Sequence, residues 1–443
     1  MRIRLGHLLA CGMAVVCLQV GEVSAQTTII LHDAGGVAGT PAEAAFSAAA
    51  HYWESVLTNN ATIHIDVDYE TLDQGVLAST AYQFYPGVTI SSYQNALAIL
   101  ATSPLDLQAT SHFQPLSTKG TPSVLLPAYY DPATKNGIAT TGSRYATNGS
   151  TLGSTVSITS ANLKAIVNNI SGMDGWISLS NAQTYDFDPS NGITAGSYDL
   201  VGIAVHEIGH ALGFDSGVDG LDSYTGPVPF VDSLSMGFAA DLFRYSSPGH
   251  LDWRFNQDAY FSIDGGATAF NGNAYYSTGV YNGDGWEASH WSTAGGGCSG
   301  FVGVMNPYIC PDTNAVVRAP DLAVLDAIGW NLSFNVLANL GYTASSAQIY
   351  QAYLASGAGS AFQPYDPTLE PQGITAMAMS PVPEPGDWGM LLLGFLLIGF
   401  MLHRRGVRAR SGDPKPHSGS TGLGVKPFPA TRNAFSTGVA IFT

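Results

Sequence analysis

The sequence predicts an α+β domain, and three observations carry that expectation. Residues 44–57 (AAFSAAAHYWESVL) put Phe46, Tyr52, Trp53 and Val56 on one face at helical spacing. Residues 61–68 (ATIHIDVD) alternate apolar and polar side chains, as a half-buried strand does. The stretch from Asp199 to Leu212 is too long for a strand and ends at Gly213, a residue suited to closing a helix.

Composition sets the class. Of 443 residues, 45% are hydrophobic and only 11% charged, with 51 Gly and 24 Pro. That balance suits a loop-rich exported protein. Residues 1–25 read as a signal peptide: Arg2 and Arg4, an apolar run from Leu8 to Val20, then Val23-Ser24-Ala25 before cleavage. Cys11 and Cys17 fall in this leader. Cys298 and Cys310 remain, and export makes them a candidate disulfide, with free thiols the alternative. Residues 26–380 hold seven Lys/Arg against 29 Asp/Glu. A surface that acidic has no electrostatic attraction for nucleic acid.

Further elements follow in order. Residues 75–101 are Ala- and Tyr-rich, with room for another helix. Residues 120–160 read as irregular or as hairpins. A helix is expected at 160–170 with Ser160 as its cap, a short strand at 176–180, and a turn around Asp188, Pro189 and Gly192. Short helices are expected at 232–243, at 319–328 closing on Gly329, and at 346–355. Phe261 to Gly266 reads as a strand and turn. Residues 26–43 are open to reading as a short propeptide.

The long helix carries the chemistry. His206 and His210 are four residues apart, so both side chains lie on one face and reach one metal ion. Glu207 is placed to take a proton from a water at that metal and hand it to a leaving amine. A catalytic zinc takes three protein ligands. In the compact metzincin pattern H-E-x-x-H-x-x-G-x-x-H, Gly213 is present but Ser216 stands at the third histidine. Asp215, Asp219, His250 and His290 are the candidates for the missing ligand.

His290 lies in Ser289-His290-Trp291, and Met305 follows in Val304-Met305-Asn306-Pro307. This arrangement resembles the leishmanolysin-like metzincins, in which a long insertion separates the helix motif from the third histidine and a methionine turn follows. The resemblance covers roughly residues 40–332. It implies a metzincin-like fold: a twisted, mostly parallel sheet with an antiparallel edge strand, an active-site helix, and a loop-rich lower subdomain. It implies zinc held by His206, His210 and His290, Glu207 as the catalytic base, Gly213 at the helix-ending turn, and Met305 beneath the metal. Leu325 to Trp330 looks like the last helix of such domains. A Cys298–Cys310 bridge would staple the methionine turn.

The expected organisation is then a protease domain over 26–332 with an insertion at 214–289, and a peripheral extension at 333–380. Asp258, Asp264 and Asp284 are weighed as calcium ligands against solvated turns. Trp286 and Trp291 are read as packing rather than as a substrate groove. Residues 381–408 resemble a PEP-CTERM sorting signal: Val382-Pro383-Glu384-Pro385, the uncharged run 388–402, then Arg404 and Arg405. That resemblance implies a Gram-negative cell-surface or matrix protein, anchored in transit by 388–402 and processed by an exosortase. The signal ordinarily stops soon after its arginines, whereas 33 residues follow Arg410 here. Residues 409–443 read as a disordered tail.

The expected activity is zinc-dependent cleavage of protein or peptide substrates, with an exposed sheet edge near 174–180 holding the substrate as an added strand. The rival expectations are a non-catalytic surface protein on a degenerate protease scaffold, which Ser216 favours, and a zinc amidase acting on a non-protein amide.

Overall fold

The computed structural model describes residues 26–167, 170–293, 298, 300–369 and the backbone of 439–442. The expected leader, the sorting signal with its apolar run, and most of the tail lie outside these residues. Among the described residues no helix is long and apolar enough to cross a membrane.

The main sheet has six strands in the order Phe362–Gln363, Thr28–Gly35, Thr62–Glu70, Gly175–Ser180, Val76–Tyr82 and Val439–Phe442. The first four run parallel, Val76–Tyr82 runs antiparallel to them, and Val439–Phe442 pairs antiparallel with Val76–Tyr82. Register pairs apolar residues across the strands: Ile29 with Ile63, Leu31 with Ile65, and Val67 with Ile177. Those side chains are buried, which fixes the register, because a one-residue slip would turn them to the other face. The fold is thus mixed helix and sheet, with parallel and antiparallel strands.

The first helix is Pro41–Val56, capped by the Thr40 side chain, with Pro41 at its first position. Phe46, Tyr52, Trp53 and Val56 are buried as the periodicity requires. Trp53 donates its indole N–H to the Val205 carbonyl at 3.1 Å, which ties this helix to the histidine helix, Leu200–Ala211.

Several expectations are corrected. The strand Gly175–Ser180 is interior, flanked on both sides, so it offers no substrate edge. The antiparallel strand is Val76–Tyr82, in the segment read as having room for a helix, and Val439–Phe442 covers its outer side. The helix that segment was read to hold is Ile90–Leu100, after the strand. Alanine favours helix, but pairing with Gly175–Ser180 and burial of Val76, Leu77 and Ala78 outweigh that weak preference. The helix Ser160–Ile166 is capped by Thr159 rather than Ser160. Residues 232–243 form two short 3₁₀ turns, Val231–Ser233 and Ala239–Phe243, not one helix. Between them the backbone lies against Trp253, and a Cβ at Gly237 would sit 2.6 Å from that ring.

Residues 28–35 are an interior strand, so their removal as a propeptide would open the sheet. The extension is less peripheral than expected. Its helix Ser346–Ser356 follows a strand, Thr343–Ser345, paired with Val316–Arg318, and Phe362–Gln363 joins the main sheet. In the tail expected to be disordered, Val439–Phe442 pairs with Val76–Tyr82.

The helix Ala319–Ala327 buries Asp326 beside Asp106. Burial first, and the neighbouring Asp106 second, push the Asp326 carboxyl up to about 8. The folded chain therefore keeps a proton that the unfolded chain releases near pH ~4. Its contribution is complete below that value and is lost as pH rises toward the folded value. Asp326→Asn is expected to flatten this fall in thermal stability between about pH 5 and about pH 8, read by Tm across a pH series. An unchanged slope would assign the dependence to other groups.

Candidate metal centre

Asp199 begins the histidine helix by accepting the Gly202 N–H on its side chain at 3.0 Å. At the other end the Trp330 indole donates to the Leu212 carbonyl at 2.9 Å, and Gly213 turns the chain with φ 112°. A Cβ there would meet Asn162 and Ile328 at 3.1 Å, so glycine is required by conformation and by space. Both ends of the helix are thereby held.

Three imidazoles converge. His206 Nε2 lies 2.8 Å from His210 Nε2, and His290 Nε2 lies 3.3 Å from each. All three residues are fully buried. His206 Nδ1 donates to the Val304 carbonyl at 2.8 Å, and His210 Nδ1 to the Phe214 carbonyl at 2.7 Å. A carbonyl only accepts, so both Nδ1 atoms carry the proton and both Nε2 lone pairs point inward. Burial lowers His206 to about 4. Burial and the neighbouring imidazoles hold His210 and His290 well below the usual histidine value. Neutral imidazoles are what a divalent ion binds.

The geometry fits such an ion. Metal–nitrogen bonds of about 2.0–2.1 Å in a tetrahedron set the nitrogens roughly 3.4 Å apart. Two of the three separations match, and the His206–His210 distance is about half an ångström short. Among the described residues this is the one group of three or more His, Cys, Asp or Glu residues positioned to hold a metal. An all-imidazole set suits zinc, copper, nickel or iron better than calcium.

The carboxylates considered as rival ligands have other duties. Asp219 accepts the Ala288 and Ser289 N–H groups at 2.5 and 3.0 Å, which positions the segment bearing His290. Ser216 donates to Asp241 at 2.6 Å, and Asp241 also takes the Gly217 N–H. Asp215 bonds the Ser216 N–H, while His250 lies beside Tyr145 on a different strand. Of the acidic residues weighed for calcium, Asp264 binds Ser262 and Thr268 in its own turn, and Asp284 binds the Thr278 N–H. Trp291 is fully buried against Phe214 and Tyr276, as packing requires, while half-buried Trp286 stacks near Tyr308.

Met305 sits under the centre. A Cβ at Gly209 would come within 2.8 Å of the Met305 sulfur, so this glycine lets the thioether approach the helix between the two histidines. The Met305 carbonyl accepts the Trp291 N–H at 2.9 Å, which links the turn to the residue after His290. Cys298 and Cys310 are bridged and enclose the turn. Replacing both by serine is expected to cost about 3 kcal/mol of stability, from the loop-closure entropy of a 12-residue separation. Chemical denaturation of the two forms reads this directly.

Two residues escaped the sequence reading. Thr80, on the antiparallel strand Val76–Tyr82, donates its hydroxyl to Glu207 Oε2 at 2.5 Å. The other carboxylate oxygen, Oε1, is buried with no hydrogen-bond partner, and burial raises Glu207 to about 8. Asp321 is fully buried and accepts four N–H groups: the Trp291 indole at 2.8 Å and the backbones of Val304, Met305 and Arg318 at 3.0, 3.2 and 2.7 Å. It joins the helix Ala319–Ala327, the methionine turn and the His290 segment. An acid in a helix's first turn was the only sequence signal for Asp321. Nothing in the sequence marked Thr80. Asp321→Ala, which strands those donors, is expected to lower metal affinity about 10–100-fold, as measured by competition with a chelator.

No family model, curated protein or solved structure matches this chain. The site therefore rests on its own geometry.

Proposed function

We propose that the chain is an exported zinc metalloendopeptidase on a metzincin-like domain. The observation that carries this reading is the convergence of three buried neutral imidazoles beside a buried carboxylate with one free oxygen. Inward-facing lone pairs at 2.8–3.3 Å repel one another unless a cation lies between them. The residues fit zinc, which would polarise a scissile carbonyl and make water acidic enough to attack it near neutral pH.

The chain's own groups supply the rest. His206 and His210 are locked by carbonyls behind them, so they present Nε2 without reorganising. Glu207 Oε1 is the acceptor for the proton of the attacking water, and Thr80 holds the other oxygen in place. The same carboxyl then delivers that proton to the departing amine. A peptide would lie antiparallel along Val76–Tyr82, the strand that brings Thr80 to Glu207, taking the place of Val439–Phe442. The signal peptide and the PEP-CTERM-like tail support export to the cell surface, with an exosortase as processing partner.

His290 beside His210 supplies a third imidazole without a histidine at 216, which supports the enzyme reading over the degenerate scaffold that Ser216 suggested. The amidase alternative shares the same water chemistry. The test is zinc content of the purified full chain by elemental analysis, with cleavage of casein, gelatin and peptidoglycan fragments before and after chelation. One zinc per chain with chelator-sensitive peptide cleavage is expected. Fragment hydrolysis without peptide cleavage would move the assignment to an amidase, and a zinc-free inert chain would end it.

A further inference from the structure

A cavity adjoins the metal centre beside His206. Gly202 and His206 of the histidine helix line it, facing Val304, Asn306, Ile309 and Arg318 from the methionine turn and the segment after it. It encloses about 90 Å³ of space open to water-sized groups, enough for one side chain and not for a larger ligand.

Its polar groups are unbalanced. Asn306 is buried, and its Oδ1 accepts the Gly303 N–H at 3.1 Å. That bond fixes the amide orientation, since a flipped Nδ2 would face an N–H. Asn306 Nδ2 is thus a buried donor with no acceptor, an arrangement that costs free energy until something accepts from it. Arg318, an exposed residue that also lines the cavity, is a second donor, solvated rather than buried. Arg144 and Arg254 pair with Asp232 and Asp252, Lys164 pairs with Asp174, and Arg244 serves carbonyls. Among the described residues no carboxylate pairs with the Arg318 side chain.

The nearby acceptors, by contrast, are already used. Asp199 takes the Gly202 and Ala315 N–H groups, Asp312 takes the Gly196 N–H, and Asp321 takes its four donors. Val304 and Ile309 supply an apolar wall. An apolar stem tipped with acceptor oxygens fits these walls and donors together.

We propose that this cavity is a specificity pocket for an acidic side chain, glutamate above all, on the peptide residue next to the cleaved bond. Asn306 Nδ2 and the Arg318 guanidinium bind its carboxylate. The cleavage part of this proposal rests on the endopeptidase reading; the binding part does not.

The test uses the zinc-loaded full chain and peptide pools carrying Glu, Gln, Leu or Phe at each position, with cut sites read by mass spectrometry. Glu beside the cut is expected to give at least about a tenfold higher kcat/KM than Leu, and Arg318→Ala is expected to remove most of that advantage. Arg318→Glu should turn the preference toward Lys. A preference for Leu or Phe, or a Glu preference untouched by both variants, would overturn the pocket.

Binding of the same pools to the zinc-loaded Glu207→Gln chain separates the two readings. Tighter binding of Glu than Leu pools by about tenfold, lost in the added Arg318→Ala, supports the pocket even where the wild type cuts nothing. In that case only the endopeptidase reading fails. Equal binding of both pools, or none, overturns the pocket while leaving cleavage to be judged separately.

Discussion

Replacing His290 by alanine is expected to lower zinc affinity roughly 100- to 1000-fold and to abolish cleavage at ordinary zinc concentrations. Structural zinc binding of about 10–16 kcal/mol spread over its ligands assigns some 3–4 kcal/mol to each. The local fold should survive, because Asp219 holds the backbone at Ala288 and Ser289 independently of the imidazole. Far-ultraviolet circular dichroism should therefore match the wild type, while competition with a chelator shows the loss. Undiminished affinity would mean that His290 is not a ligand. The metal would then rest on His206 and His210 with a group outside the described residues.

Replacing Glu207 by glutamine is expected to do the opposite: zinc stays, and kcat falls about 10²–10⁴-fold. The amide keeps the size of the side chain and can still meet the Thr80 hydroxyl, so positioning is retained. What it lacks is a basic oxygen at the place of Oε1, which faces no other partner. Zinc content and peptide binding should remain near those of the wild type. A variant with full activity would remove Glu207 from the proton path, and loss of zinc as well would recast Glu207 as a support for the ligands. Read together, the two substitutions separate holding the metal from moving the proton.

The helix and its first two ligands were legible because both depend on local geometry. A four-residue spacing on a helix puts two side chains on one face whatever surrounds them. Gly213 was legible for the same reason, as the close of that helix. His290 was reached by resemblance, and 80 residues of chain separate it from His210. No local rule decides where such a segment returns. Asp219 and Asp321 carry it back, yet in sequence each is one acid among many. In the Ala-rich segment 75–101 the helix was legible and the strand before it was not, for a related reason. Its first seven residues gain more by pairing with Gly175–Ser180 than alanine gains from a helix.

The sequence by itself determined the chemical class of the site: two imidazoles and a carboxyl on one helix face, ended by glycine, with a methionine and two cysteines downstream. Periodicity and short spacing are local properties, and folding does not alter them. Only the tertiary structure decided which distant histidine completes the set, which strand runs antiparallel beside Gly175–Ser180, and that Thr80 and Asp321 support the centre. Those outcomes depend on side chains meeting after the sheet, the insertion and the methionine turn have packed together. Burial then decides the chemistry, since it keeps the three imidazoles neutral and leaves one Glu207 oxygen without a partner.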